Sequence, residues 1–178
     1  MWRKDRTAAS ERAQVDYVEY VEGRLPWLRR LAYLLCQDWH EADDLVQATL
    51  TRLYTYWPRA ARMDNIDAYV RAILVRTFLG ERRSPWFRRV LLPGSAQADG
   101  VAAGADPDVV LDVREALAAI PPRQRATLVL RFYCDLDVGQ SATVLGCSAG
   151  TVKSQTSKGL AALRRMLEPA WGGGSDRG

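Results

Sequence analysis

The side chains best suited to chemistry with a partner lie near the C-terminus. From Thr151 to Arg165 the chain carries Lys153, Lys158, Arg164 and Arg165 and no acid. Thr151, Lys153, Ser154, Gln155, Ser157 and Lys158 fall on the outward face of a helix predicted from Ala149 onward. Such a face suits a major groove. The two lysines can neutralise phosphates, the Gln155 amide matches the donor and acceptor of adenine, and Ser and Thr serve either role. Ser148 is placed to cap this helix and aim its positive end at a phosphate.

The elements that hold this face are legible in the preceding residues. A short helix, Val138 to Leu145, precedes Gly146 and Cys147-Ser148. A helix-turn-helix needs a small residue where its helices cross, a turn glycine able to take positive φ, and an apolar anchor in the second helix. Ala142, Gly146 and Val152 supply them at offsets of four and six, and Thr156, Leu160, Leu163 and Leu167 are expected to continue inward.

Charge is distributed unevenly over the 178 residues, although 25 Lys plus Arg against 21 Asp plus Glu leave only +4. Arg76 to Arg89 holds Arg76, Arg82, Arg83, Arg88 and Arg89 against Glu81, a second surface for a polyanion. Leu35 to Thr51 holds Asp38, Glu41, Asp43 and Asp44 with no Lys or Arg, which suits a protein partner instead. Asp44 and Gln47, three apart, share one exposed helix face.

Enzymatic chemistry finds little support. His40, in His40-Glu41-Ala42-Asp43-Asp44, lacks the second histidine of a zinc protease helix, and neither a phosphate loop nor a serine nucleophile elbow occurs. A metal-dependent nuclease using Asp38, Asp43 and Asp44 is the residual enzyme reading. Cys36, Cys134 and Cys147 are widely spaced and odd in number, so neither a disulfide framework nor a metal site is expected, and no cofactor. The N-terminus leads into polar residues, and no apolar run reaches the ~20 residues of a membrane span. A cytoplasmic protein without membrane insertion is expected.

Apolar residues, 48% of the chain, recur every three or four positions with almost no alternation, so the fold is predicted all-α. Tyr17, Val18, Val21 and Leu25 form one stripe, and Pro26 is expected to start a new helix burying Leu28, Leu31, Ala32 and Leu35. A further helix from about Glu41 turns Ala42, Leu45, Val46, Leu50, Leu53 and Trp57 inward. Pro58 to Met63 reads as a loop, and Asp64 or Asn65 caps a helix carrying Tyr69, Ile73, Leu74 and Phe78. Ser84 to Val109 is rich in Pro, Gly and small residues and reads as a linker. Beyond it come Val110, Val113, Leu117 and Ile120, then Ala126, Leu128, Val129, Leu130 and Phe132. Two small helical domains, residues 12–84 and 110–170, joined by a flexible linker at 85–109, are therefore expected, in open or closed arrangements.

Two sets of residues in this order resemble a known family. Leu117-Ala118-Ala119-Ile120-Pro121-Pro122-Arg123-Gln124-Arg125, the run Leu128 to Tyr133, Leu145-Gly146-Cys147-Ser148 and Gly150-Thr151-Val152-Lys153-Ser154-Gln155 resemble region 4 of extracytoplasmic-function sigma factors, of the actinobacterial type. Arg24-Leu25-Pro26, Leu31-Ala32-Tyr33-Leu34-Leu35 and Glu41-Ala42-Asp43-Asp44-Leu45-Val46-Gln47 resemble region 2. Together they cover most of the chain outside the termini and linker.

The resemblance implies a non-enzymatic factor that joins core RNA polymerase, at the clamp helices of its largest subunit and its flap, and selects promoter DNA. Asp43, Asp44, Gln47 and Thr51 would meet the clamp. Arg62, Asn65, Tyr69, Arg71, Arg76, Thr77, Arg82 and Arg83 would meet the −10 element. Arg76 stands where the family often has Asn, and a cation there suits a phosphate. Ser148, Thr151, Lys153, Ser154, Gln155, Ser157 and Lys158 would meet the −35 element. The acidic side of the linker (Asp99, Asp106, Asp108, Asp112 and Glu115 against Arg114) would thread toward the polymerase channels. Many relatives are held by an anti-sigma factor, and a free sigma factor is equally compatible with these residues. The alternative reading is a stand-alone helix-turn-helix regulator.

Overall fold

A computed structural model describes residues 2–81 and 107–171, with side-chain surroundings for 16–80 and 113–167. Arg82, Arg83 and residues 85–106 of the linker expected at 85–109 lie outside the described residues, while 107–109 already belong to a helix. Helices α1 (Trp2–Cys36), α2 (Trp39–Ala60) and α3 (Ile66–Glu81) make the first half. The second comprises α4 (Pro107–Ala119), α5 (Pro122–Leu128), a π-helical turn at Val129–Tyr133, α6 (Val138–Leu145) and α7 (Ala149–Trp171). Among the described residues there is no strand, and no helix is long and apolar enough to cross a membrane.

α1 runs through Pro26, which does not begin a new helix. Proline removes one hydrogen bond and leaves the carbonyl four residues back unpaired. Here that carbonyl belongs to Glu22, and Glu22, Gly23, Leu25 and Pro26 are all exposed, so water can satisfy it. The buried face on the far side continues through Leu28, Leu31, Ala32 and Leu35. Each fully buried leucine contributes about 1.5–3 kcal/mol, enough to offset the break. α1 closes at Gln37, whose backbone turns left-handed (φ 62°) and whose side-chain amide donates to Leu34 O at 2.8 Å.

α2 begins two residues earlier than the sequence suggests, because Asp38 caps it by accepting from the Glu41 N–H at 2.9 Å. It also extends past Pro58 to Ala60, where a loop is expected, since Trp57 and Ala60 on its inner face are buried. Asn65, not Asp64, caps α3, with Oδ1 accepting from the Ala68 N–H at 2.8 Å. Tyr17 and Tyr20 pack their rings on Trp57 at 5.3 and 5.4 Å, locking α1 to α2.

The two helical units expected from the sequence are both present, and they meet. Leu31, Leu53, Leu74 and Phe78 of the first half and Ala126, Val129, Leu130, Val144, Leu145 and Val152 of the second belong to one continuous apolar core. Several expected inward positions face water instead: Val18 is 43% exposed, Leu25 37%, Phe132 62% and Leu160 43%. On α7 the inward step after Val152 falls on buried Gly159 and Ala162, not Leu160. A Cβ on Gly159 would lie 2.9 Å from Leu128 Cδ1, so any side chain there would force the packed leucine to shift.

Candidate nucleic-acid interface

Helix α6 is capped at both ends, and a short polar side chain caps the start of α7. Asp137 and Gln140 form a reciprocal cap at the start of α6: Asp137 Oδ1 accepts from the Gln140 N–H at 2.7 Å, and Gln140 Oε1 from the Asp137 N–H at 2.9 Å. The Asp-x-x-Gln spacing carries that signal. At the far end Gly146 adopts φ 62°, ψ 46°, a left-handed conformation that costs a residue with Cβ about 1–2 kcal/mol. Ser148 Oγ then accepts from the Thr151 N–H at 3.1 Å, which fixes the first turn of α7. Val152, fully buried, anchors that helix. The expected helix-turn-helix and its cap are therefore in place.

From this support α7 presents Lys153, Ser154, Ser157 and Lys158 to solvent, while Thr151 and Gln155 are half-buried. Gln155 turns toward the first half, where it lines a cleft of about 690 Å³ with Arg76, Gly80, Arg123 and Gly146.

Among the described residues, those expected at the −10 element do not form one surface. Arg62 and Asn65 are exposed at the start of α3, beside exposed Met63, and Tyr56 on α2 is 52% exposed. Tyr69 and Arg71 are half-buried, the Arg71 guanidinium lying 5.7 Å from the Trp27 ring centre. Arg76 stands about 16 Å beyond Asn65 along the helix axis, at 1.5 Å per residue. There it donates from Nε to Val144 O at 3.0 Å and from Nη2 to Thr143 O at 2.8 Å. Thr77 is corrected: it is 1% exposed and its hydroxyl accepts from Arg52 Nη1 at 2.6 Å, so in this arrangement it offers nothing to a nucleic acid. Its polar side chain hides the fact that position 77 faces inward.

The acidic face on α2 divides likewise. Asp44, Gln47 and Thr51 are exposed on one side, offsets of three and four keeping them aligned. Asp43 points to the other side, into an ion pair with Arg29 (Nε to Oδ1, 2.7 Å). The Arg29 guanidinium lies 5.5 Å from the Trp39 ring, which stacks on Tyr33 at 4.1 Å, and Arg114 of α4 sits over Tyr33 at 5.2 Å. Arg114 also donates to the Tyr33 hydroxyl. This column joins the acidic helix to the second half of the chain. Sequence reasoning missed it, because nothing local links Tyr33 to Arg114.

Comparison with known proteins finds matching patterns in both halves. Residues 20–88 match the family described as Sigma-70 region 2, and residues 111–163 that described as Sigma-70, region 4. The chain is 36% identical over 162 residues to the RNA polymerase sigma-E factor of Streptomyces avermitilis, covering 86% of each. It is 31% identical over 180 residues to the ECF RNA polymerase sigma factor SigL of Mycobacterium tuberculosis, covering 94% of this chain and 97% of that one. Its fold resembles that of the sigma factor RpoE of Bartonella quintana, solved with the anti-sigma factor NepR, at a TM-score of 0.72 and 24% identity over 91% of this chain and 99% of that one. It also resembles CnrH, solved with the cytosolic domain of CnrY, at 0.59 and 19% identity over 93% and 97%.

Proposed function

The chain belongs to the sigma-70 family, as an extracytoplasmic-function RNA polymerase sigma factor, and from that premise we propose how its surfaces divide the work. A sigma factor binds core RNA polymerase and directs initiation at chosen promoters; its members are initiation factors rather than enzymes. We assign polymerase docking to Asp44, Gln47 and Thr51, with Asp43 acting through Arg29. The −10 element falls to Arg62, Asn65, Tyr69 and Arg71, joined by Arg76 when it is released from α6 and by Arg82 and Arg83. The −35 element falls to Ser148, Thr151, Lys153, Ser154, Gln155, Ser157 and Lys158. The protein works in the cytoplasm, where polymerase and template are, and an anti-sigma partner of the kind seen with RpoE is a natural regulator.

The observation that carries the assignment is an acid-free helix face, Lys153 to Lys158, raised on a doubly capped turn. Phosphate contacts from such a face make log affinity fall with log salt at a slope of about −0.9 per contact. The test is run-off transcription with purified core enzyme across a genomic promoter library. Promoter-dependent transcripts are expected only when the chain is added. Tight, specific duplex binding by the chain alone, with no association with core enzyme, would favour a stand-alone regulator instead.

A further inference from the structure

The last four carbonyls of a helix have no partner within it and carry the negative end of its dipole. At the end of α6, Ala142 O accepts from the N–H groups of Gly146 and Cys147. The next two, Thr143 O and Val144 O, accept from a residue 67 and 68 positions earlier, Arg76. The planar guanidinium meets two successive carbonyls from two separate nitrogens in a pre-organised fork, a geometry that the single ammonium of lysine does not have. The first half of the chain thus completes the helix-turn-helix of the second.

The same joint holds Gln155. The cleft it lines has a volume of about 690 Å³, with Arg76 and Gly80 of α3 across from the α6–α7 turn. Spaces of roughly 300–1,000 Å³ accommodate small molecules, not a double helix. Lys153, Ser154, Ser157 and Lys158 stay exposed in this state. The joined form therefore offers these four side chains to phosphates while Gln155, half-buried, lines the cleft.

We propose that Arg76 is a latch: by capping α6 across the joint it holds an arrangement in which Gln155 is withheld from duplex DNA, and its release uncovers Gln155 for base readout. The inference rests on the reading of Gln155 as a base-contacting residue. Release also frees a cation on the helix assigned to the −10 element, so the two promoter contacts become available together.

The test uses the full chain without polymerase, as wild type, R76A, R76K and R76A/Q155A. Hydrogen exchange is followed at the α6–α7 turn and along α2, and each protein is used to select from a random-sequence duplex pool. Losing two charge-assisted hydrogen bonds is expected to speed exchange at the turn about tenfold or more, leaving α2 unchanged. R76K, which keeps the charge without the fork, gives a smaller rise at the same place and covers the case that R76A folds poorly. R76A should enrich a defined sequence that wild type does not, and R76A/Q155A should exchange as fast without enriching it. Unchanged exchange at the turn in both single variants overturns the latch. Faster exchange without enrichment overturns the withholding of Gln155, provided polymerase-bound promoter selection depends on Gln155. If that selection is indifferent to Gln155→Ala, the base-contact reading fails instead.

Discussion

Arg29 and Asp43 face each other in a two-pronged ion pair, Nε to Oδ1 at 2.7 Å and Nη2 to Oδ2 at 3.1 Å, across the groove between α1 and α2. The pair satisfies one of two adjacent carboxylates and leaves Asp44 facing water. The hydrogen bond from Arg29, and then the nearby charge of Asp43, hold the guanidinium pKa above its ordinary value.

Asp44→Lys should therefore weaken association with core polymerase by roughly tenfold or more, through like-charge contact at a basic docking surface. Asp43→Asn should act more weakly, since an exposed pair contributes about 0–1 kcal/mol. Competition binding with labelled protein checks both. Equal affinity for Asp44→Lys and wild type would remove that face from the docking assignment.

Lys153→Ala should lower promoter affinity for every sequence and reduce the salt slope by about one contact. Gln155→Ala should instead relax one −35 position, at a cost of ~1–3 kcal/mol for the preferred base. A panel of promoter mutants bound by the polymerase-associated protein separates the two. A uniform loss for Gln155→Ala would mean that it does not read a base.

The helix-turn-helix was readable because its requirements are local: a cap, a left-handed turn residue and an anchor within a dozen positions. The fate of Arg76 was not, since its acceptors are backbone carbonyls that any sequence supplies and only tertiary packing brings near. Thr77 misled for the opposite reason. A hydroxyl beside Arg76 looks available until Arg52 is seen to donate to it. Pro26 failed as a boundary because the rule concerns one hydrogen bond, whereas a run of buried leucines decided the helix. Leu160 failed because the tight crossing needed Gly159 inward, shifting the apolar face by one position.

Gly159→Ala should destabilise the fold by about 1–3 kcal/mol through overpacking, even though alanine is the better helix former. The added methyl would meet Leu128 Cδ1 at 2.9 Å and Cγ at 3.1 Å. Leu128→Ala in the same background should cost less than it does alone, because each change makes room for the other. Urea denaturation of the four proteins gives the coupling, and strict additivity would place the strain elsewhere.

Tyr20→Phe should cost about 1 kcal/mol, the usual worth of one hydrogen bond, since the phenol donates to Asp67 Oδ1 at 2.8 Å. Burial first, then this bond and the carboxylate charge, push the Tyr20 phenol above its ordinary value of 10. A group raised on folding stabilises fully below its unfolded pKa and loses that contribution as pH rises past it. Wild type should accordingly lose stability above about pH 10, and Tyr20→Phe should lose less. Denaturation midpoints between pH 8 and 11 measure it; parallel curves would show that Tyr20 ionises as freely in the fold as outside it.

The joining of both halves through one apolar interior has a thermal consequence. Burial of hydrocarbon loses strength on cooling, whereas charge-assisted contacts such as those of Arg76 do not share that dependence. Chilling therefore shifts responsibility for holding the halves together from Val129, Leu130, Val144 and Leu145 toward a few polar clasps. In the cold the seam between the halves would be looser and would part more readily.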